Sequence, residues 1–145
     1  MTIDPQHTLE HHVYETFDWR WVSVGFVFMV GAQVGAYWLL QPILHDLIFR
    51  QERVVAGAAM LGGVALLIYF LGGLLIGRMS VGRTAKEPAV GSVLAIGVIF
   101  VLQLFLGQVN IVGLVIGTPF CFGVAYLGGI IGEKWQDRVR RPRPR

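Results

Sequence analysis

The chain has 145 residues, of which 54% are hydrophobic and 14% are charged, with a formal net charge of +3 and a mean hydropathy of +0.62. A soluble domain usually carries about 25% charged residues, so this composition argues against a soluble globular protein and indicates an integral membrane protein. The single cysteine, Cys121, excludes an internal disulfide framework and a cysteine-based metal cluster.

The first twenty residues form a polar segment. Four acidic residues stand there against one basic residue, Arg20. This is the reverse of the basic start of a signal peptide, and no small-residue cleavage site follows. We therefore expect residues 1–20 to be a retained, cytoplasmic N-terminal segment.

Four apolar runs follow, at about residues 21–40, 54–77, 89–106 and 111–131, and none contains Asp, Glu, Lys, Arg or His. A bilayer core about 30 Å thick needs roughly 20 apolar residues in a helix. In lipid every backbone polar group must be paired within its own segment, so each run is expected to be a helix. The sequence thus predicts an all-α integral membrane protein, a four-transmembrane-helix bundle over residues 21–132.

The connection after the first helix, residues 41–53, contains a proline and stays apolar. We expect Pro42 to break the helix, and Ile43, Leu44 and Leu47 to hold a short interfacial helix along the membrane surface. The alternative is a simple extension of the first helix beyond the membrane.

The other two connections are short. Thr84 and Glu87 have the spacing of a capping box, which predicts a helix start at this point. Residues 107–110, Gly-Gln-Val-Asn, form a tight turn, so the third and fourth helices are expected to be antiparallel neighbours.

Basic residues indicate the orientation. With both termini inside, ten of the twelve Lys and Arg residues lie inside and only Arg50 and Arg53 lie outside. Because Lys and Arg collect in cytoplasmic loops, we predict an N-in/C-in topology with residues 133–145 as an extended, basic cytoplasmic tail. Six basic residues are expected to contact anionic lipid headgroups or a partner protein: Arg78, Arg83, Lys86, Arg138, Arg140 and Arg141.

Glycines recur within the helices. The stretches YFLGGLLIGR (69–78) and AYLGGIIGEK (125–134) both end an apolar run with a Gly-Gly pair, a further glycine and charge, which indicates a two-hairpin repeat. Small residues four apart let membrane helices approach closely. The predicted packing glycines are Gly31, Gly35, Gly62, Gly63, Gly73, Gly77, Gly113, Gly117, Gly128 and Gly132. The third helix has fewer such pairs, and we expect it to be the most exposed to lipid.

The four apolar runs contain few polar side chains. Because no ionisable residue lies there, a proton- or cation-coupled carrier is disfavoured. Gln33 and Thr118 are expected to form hydrogen bonds between helices, and Gln103 lies near the outer end of the third helix. Pro119 is expected to kink the fourth helix.

No catalytic, cofactor or metal site is predicted. His11, His12 and Glu15 lie close together in the N-terminal segment, but two or three ligands without a preformed site are a weak metal signal. His45 and Asp46 form a polar pair in the first connection, where a pH-sensitive contact is a minor alternative. No nucleophile has a matching base, and no loop has the pattern of a phosphate or cofactor site.

The segment LGGLLIGR, residues 71–78, closes the second helix of the four. This arrangement resembles the small, uncharacterised four-helix bacterial inner-membrane proteins that have Gly-Gly-x-x-x-Gly-Arg at a helix end. The resemblance implies a four-helix fold in the bacterial inner membrane and implies no activity.

These features favour a non-enzymatic accessory or structural subunit of a membrane complex. The expected partners are the lipid bilayer and either another membrane protein or further copies of the chain, and no nucleic acid is expected. The alternative is a small oligomeric channel or transporter with a pathway near Gln33 and Thr118.

Overall fold

A computed structural model describes residues 18–47, 54–80, 85–107 and 111–140. These ranges contain four helices: α1 (Trp19–His45), α2 (Val54–Met79), α3 (Lys86–Phe105) and α4 (Ile111–Arg140). Each helix is long and apolar enough to cross a membrane, and only 17–28% of each candidate span is buried inside the molecule. For the described ranges this confirms the prediction of an all-helical fold with four helices long and apolar enough to span a membrane.

The helices pack in a ring. The most extensive contact is between α2 and α4, and α1 packs mainly on α3. α3 also contacts α4, and α1 contacts α2. The Arg78 end of the bundle contains the N-termini of α1 and α3 and the C-termini of α2 and α4. The His45 end contains the four opposite termini. All Lys and Arg side chains that the structure describes lie at the Arg78 end.

Four glycines bring α2 and α4 together in the half of the bundle nearest the Arg78 end. At each of them an added Cβ would collide with a backbone carbonyl of the other helix: Gly73 with Ala125, Gly77 with Gly129, Gly128 with Phe70, and Gly132 with Leu74. We call these four residues the glycine seam. Without side chains there, the two parallel backbones come close enough for Cα–H groups to face carbonyl oxygens.

The seam contacts are reciprocal. An offset of 55 residues converts the contacts made by Gly73 and Gly77 into those made by Gly128 and Gly132. The equivalent features are therefore the two Gly-x-x-x-Gly pairs. The two Gly-Gly dipeptides, at 72–73 and 128–129, are displaced from this correspondence by one residue.

α3 is not the lipid-exposed helix that the sequence predicted. Its span is 28% buried, the largest share of the four, and the α1 span is 17% buried, the smallest. A Cβ on Gly91 would lie 3.2 Å from the carbonyl oxygen of Val22, so α3 approaches α1 closely with no Gly-x-x-x-Gly pair. Its first half is lined with small buried residues, Ala89, Gly91, Ser92 and Ala95. The prediction was wrong because it counted paired glycines and ignored alanine and serine.

Two helix boundaries also differ from the prediction. α1 continues through Pro42 to His45, so the predicted helix break at Pro42 is wrong. Of the predicted interfacial segment 41–53, residues 48–53 lie outside the described ranges. A proline removes one amide donor, and membrane helices tolerate this because neighbouring groups satisfy the released carbonyl. α4 continues to Arg140, so the first part of the predicted extended tail is helical.

α3 begins at Lys86, slightly earlier than expected. Its N-cap residue is Ala85, whose side chain makes no capping hydrogen bond. Thr84, the first residue of the predicted capping box, lies outside the described ranges. Glu87, its other member, contacts a different helix, as described below.

Candidate functional site

The half of the bundle nearest the His45 end is loosely packed. An added Cβ would meet nothing within 4 Å at five of the predicted packing glycines: Gly31, Gly35, Gly62, Gly63 and Gly117. Within this chain they therefore do not hold helices together. α2 and α4, which touch along the glycine seam, lie apart here.

A cavity of about 650 Å³ occupies the space between the helices in this half. We call it the Gln33 cavity. Gln33 is the α1 residue in its wall, and α2 lines it from Ala58 to Tyr69, a length of about 17 Å at 1.5 Å per residue. α3 and α4 complete the wall with Ile96, Ile99, Phe100, Gln103, Gly113, Leu114, Ile116, Gly117, Phe120 and Cys121.

A hydrogen bond between two helices lies at the deep end of the cavity. The Tyr69 hydroxyl donates to Gln33 Oε1 at 2.8 Å, and Tyr69 is only 1% exposed. Gln33 thus bonds between helices, in the way the sequence analysis expected. Beneath this pair the buried core residues Met29, Ala95 and Ala125 pack together, and the glycine seam follows. The cavity therefore ends near the middle of the bundle.

Thr118 behaves differently from the expectation. Its hydroxyl donates to the carbonyl oxygen of Leu114 at 2.6 Å, within α4 itself. Threonine in a helix readily forms this bond to the residue four positions earlier. Thr118 therefore neither links helices nor lines the Gln33 cavity.

A buried carboxylate joins α3 to α1 at the Arg78 end. Glu87 is 1% exposed, and its Oε1 accepts the backbone N–H of Asp18 at 2.7 Å. Asp18 is the N-cap of α1, where its side chain accepts from the Arg20 amide at 2.9 Å. Within the described residues, Glu87 Oε2 and Glu133 Oε1 are buried without a hydrogen-bond partner. Sequence reasoning missed this contact because the capping-box spacing placed Glu87 at its own helix start.

The extension of α4 holds the end of α2. Gln136 Nε2 donates to the carbonyl oxygen of Ser80 at 3.1 Å, which satisfies one backbone group beyond α2. The Arg78 guanidinium carbon lies 4.6 Å from the centroid of the Trp135 ring, a cation–π contact. A shallow hollow of about 350 Å³ beside it is lined by Ile131, Lys134, Trp135 and Arg138.

Some of the remaining predicted surface residues lie within the described ranges and others lie outside them. Arg78, Lys86 and Arg138 are exposed at one end of the bundle, and Arg140 ends α4. Arg83 and Arg141 lie outside the described ranges, as do the N-terminal residues His11, His12 and Glu15. Among residues 18–47, 54–80, 85–107 and 111–140, no three His, Cys, Asp or Glu residues are grouped to hold a metal ion.

Comparison of the chain with protein-family models, curated proteins and solved structures found no match.

Proposed function

We propose that this chain is a non-enzymatic accessory or structural subunit of a membrane complex in the bacterial inner membrane. The glycine seam is the observation that supports this proposal best. It holds α2 and α4 backbone to backbone, and the bond between Glu87 and Asp18 ties α3 to α1 beside it. A bundle closed so firmly at one end is suited to hold other components in place.

The alternative function is a small oligomeric channel or transporter, and the same closure counts against a form of it in which solute passes through a single chain. Gln33 lies in a cavity, but the Tyr69 hydrogen bond and the seam lie between that cavity and the Arg78 end. Thr118 is bonded within its own helix. Transport through the chain would need α2 and α4 to separate where their backbones touch.

An N-in/C-in orientation and a two-hairpin repeat belong to the same proposal. The clustering of the described basic side chains at the Arg78 end supports the orientation, because positive charge is retained on the cytoplasmic side. The hollow between Lys134 and Arg138, with Trp135 beside it, suits an anionic lipid headgroup at that surface. The 55-residue correspondence of the seam contacts supports the repeat.

The orientation has a direct test. A reporter fused after Arg145 should be active only on the cytoplasmic side, and a tag inserted within residues 48–53 should react with a reagent that cannot cross the membrane. A tag at the same site in permeabilised cells provides the reference for full labelling. A C-terminal reporter that is active in the periplasm would contradict the arrangement.

The proposed role is tested by purification and reconstitution together. In a mild detergent, native mass spectrometry should show the chain in a complex of fixed stoichiometry with another membrane protein or with further copies. Liposomes containing the purified protein should show no ion or small-solute flux above protein-free liposomes. Robust flux that Gln33→Leu abolishes would favour the channel instead.

A further inference from the structure

We propose that the Gln33 cavity binds a neutral lipid with carbonyl oxygens, a chemical class that includes prenylquinones and acylglycerols. The inference follows from the shape of the cavity, from the absence of charge in its wall and from the hydrogen-bond donors that face it. It goes beyond the proposed subunit role and does not depend on it.

The shape fits a ligand with a long hydrocarbon part. Ligand sites in proteins are concave, mostly apolar and about 300–1,000 Å³ in volume, and this cavity has about 650 Å³. Leu61, Ile116 and Phe120 border it and are exposed on the lipid-facing surface, Phe120 to 62%. A hydrocarbon chain can therefore pass from the cavity into the bilayer between α2 and α4.

The wall indicates a neutral head. Among the described residues that line the cavity there is no Asp, Glu, Lys, Arg or His. The cavity reaches down to Tyr69, well inside the apolar span of α2. A charged headgroup at that depth would need a counter-charge, because a charge in the bilayer interior is costly.

Two amide side chains provide the polar recognition. Gln33 Oε1 accepts from Tyr69, which leaves Gln33 Nε2 as a donor in the cavity wall. Gln103 lines the opposite, shallower end of the cavity. The Gln33 Nε2 donor requires an acceptor on the ligand, such as a carbonyl oxygen, and the Gln103 amide can either donate or accept. Hydrocarbon alone would leave the Gln33 donor unsatisfied, at a cost in free energy.

Glycines keep the cavity open. Gly62 and Gly117 both line it, and an added Cβ at either would meet no atom within 4 Å. A side chain added at either position therefore begins in open space, and we expect a leucine there to occupy the ligand space. Gly123 lies on the same helix as Gly117 and has equally open surroundings, but it is not in the cavity wall. It is a matched control.

The test measures lipid binding to the full chain in detergent micelles. The probes are a short-chain ubiquinone, a diacylglycerol and phosphatidylglycerol, each titrated and detected by native mass spectrometry. We expect a neutral probe to bind at least about tenfold more tightly than phosphatidylglycerol. Gln33→Leu should weaken binding of the neutral probe about tenfold, because the ligand loses a hydrogen bond to its buried acceptor. Gly117→Leu should abolish it, and Gly123→Leu should leave it unchanged.

Each result of these binding measurements either supports the proposed lipid site or contradicts it. Preference for the quinone or for the diacylglycerol identifies the source of the carbonyl groups and supports the site. Equal binding of phosphatidylglycerol, or unchanged binding to Gly117→Leu, would overturn it. Gly62→Leu is a second cavity-filling variant, on α2 instead of α4. Size-exclusion chromatography verifies that each variant is folded. Loss of binding in the Gly123→Leu variant as well would also overturn the assignment to this cavity.

Discussion

Replacing Gly73 with leucine is expected to abolish the folded bundle. An added Cβ at this position already collides with the backbone carbonyl of Ala125. A backbone cannot move aside as a flexible side chain can, so α2 and α4 must separate along the whole seam. Overpacking a core typically costs about 1–3 kcal/mol, and a clash with backbone should exceed that range. Gly128→Leu, on the facing helix, should have the same effect.

The measurement is the yield of monodisperse protein in detergent, together with its thermal unfolding midpoint. Gly63→Leu is the matched control, because it lies on the same helix and an added Cβ meets nothing within 4 Å. Val98→Leu, at a position 38% exposed on α3, is a second control. Both controls should remain near the wild-type midpoint. Similar losses in Gly63→Leu and Gly73→Leu would show that the seam is not the contact that maintains the bundle.

Replacing Glu87 with alanine is expected to release the N-terminus of α1 from α3. The Asp18 amide would lose its acceptor, and a void would remain where a fully buried side chain had been. Leaving a buried donor without its acceptor costs about 1–3 kcal/mol, and the void adds to this, so the free energy of unfolding should fall by about 2 kcal/mol or more. Glu87→Gln should retain wild-type stability, because its side-chain oxygen can still accept from Asp18 and the shape is preserved.

Comparing Glu87→Ala with Glu87→Gln shows whether the second carboxylate oxygen, Glu87 Oε2, is needed for stability. Glu87 Oε2 and Glu133 Oε1 lack hydrogen-bond partners among the described residues, and Glu87 lies near the acidic groups of Asp18 and Glu133. Stability measured by thermal unfolding at constant pH should therefore rank wild type and Glu87→Gln above Glu87→Ala. If Glu87→Gln were as destabilised as Glu87→Ala, the negative charge itself would be required, and a cationic group facing Oε2 would have to be sought.

The sequence by itself determined the four spans and their helical form. Hydropathy is a property of each run taken alone, and lipid offers no partner for an unpaired backbone group, so an uncharged run of this length has to be a helix. The four residues of the glycine seam were among the ten predicted packing glycines, because small residues four apart let helix backbones approach closely. Gln33 could be singled out because a lone amide in an apolar helix needs a partner.

Only the tertiary structure decided which glycines meet a neighbour. Gly73 and Gly63 have the same spacing signal on one helix, yet one touches a carbonyl and the other faces open space. The difference arises because α2 and α4 are close near the Arg78 end and apart near the His45 end, which depends on the placement of all four helices. The contact between Glu87 and Asp18 was unpredictable for the same reason: a local pattern shows what a side chain can bond, and only the packed bundle shows which group stands opposite.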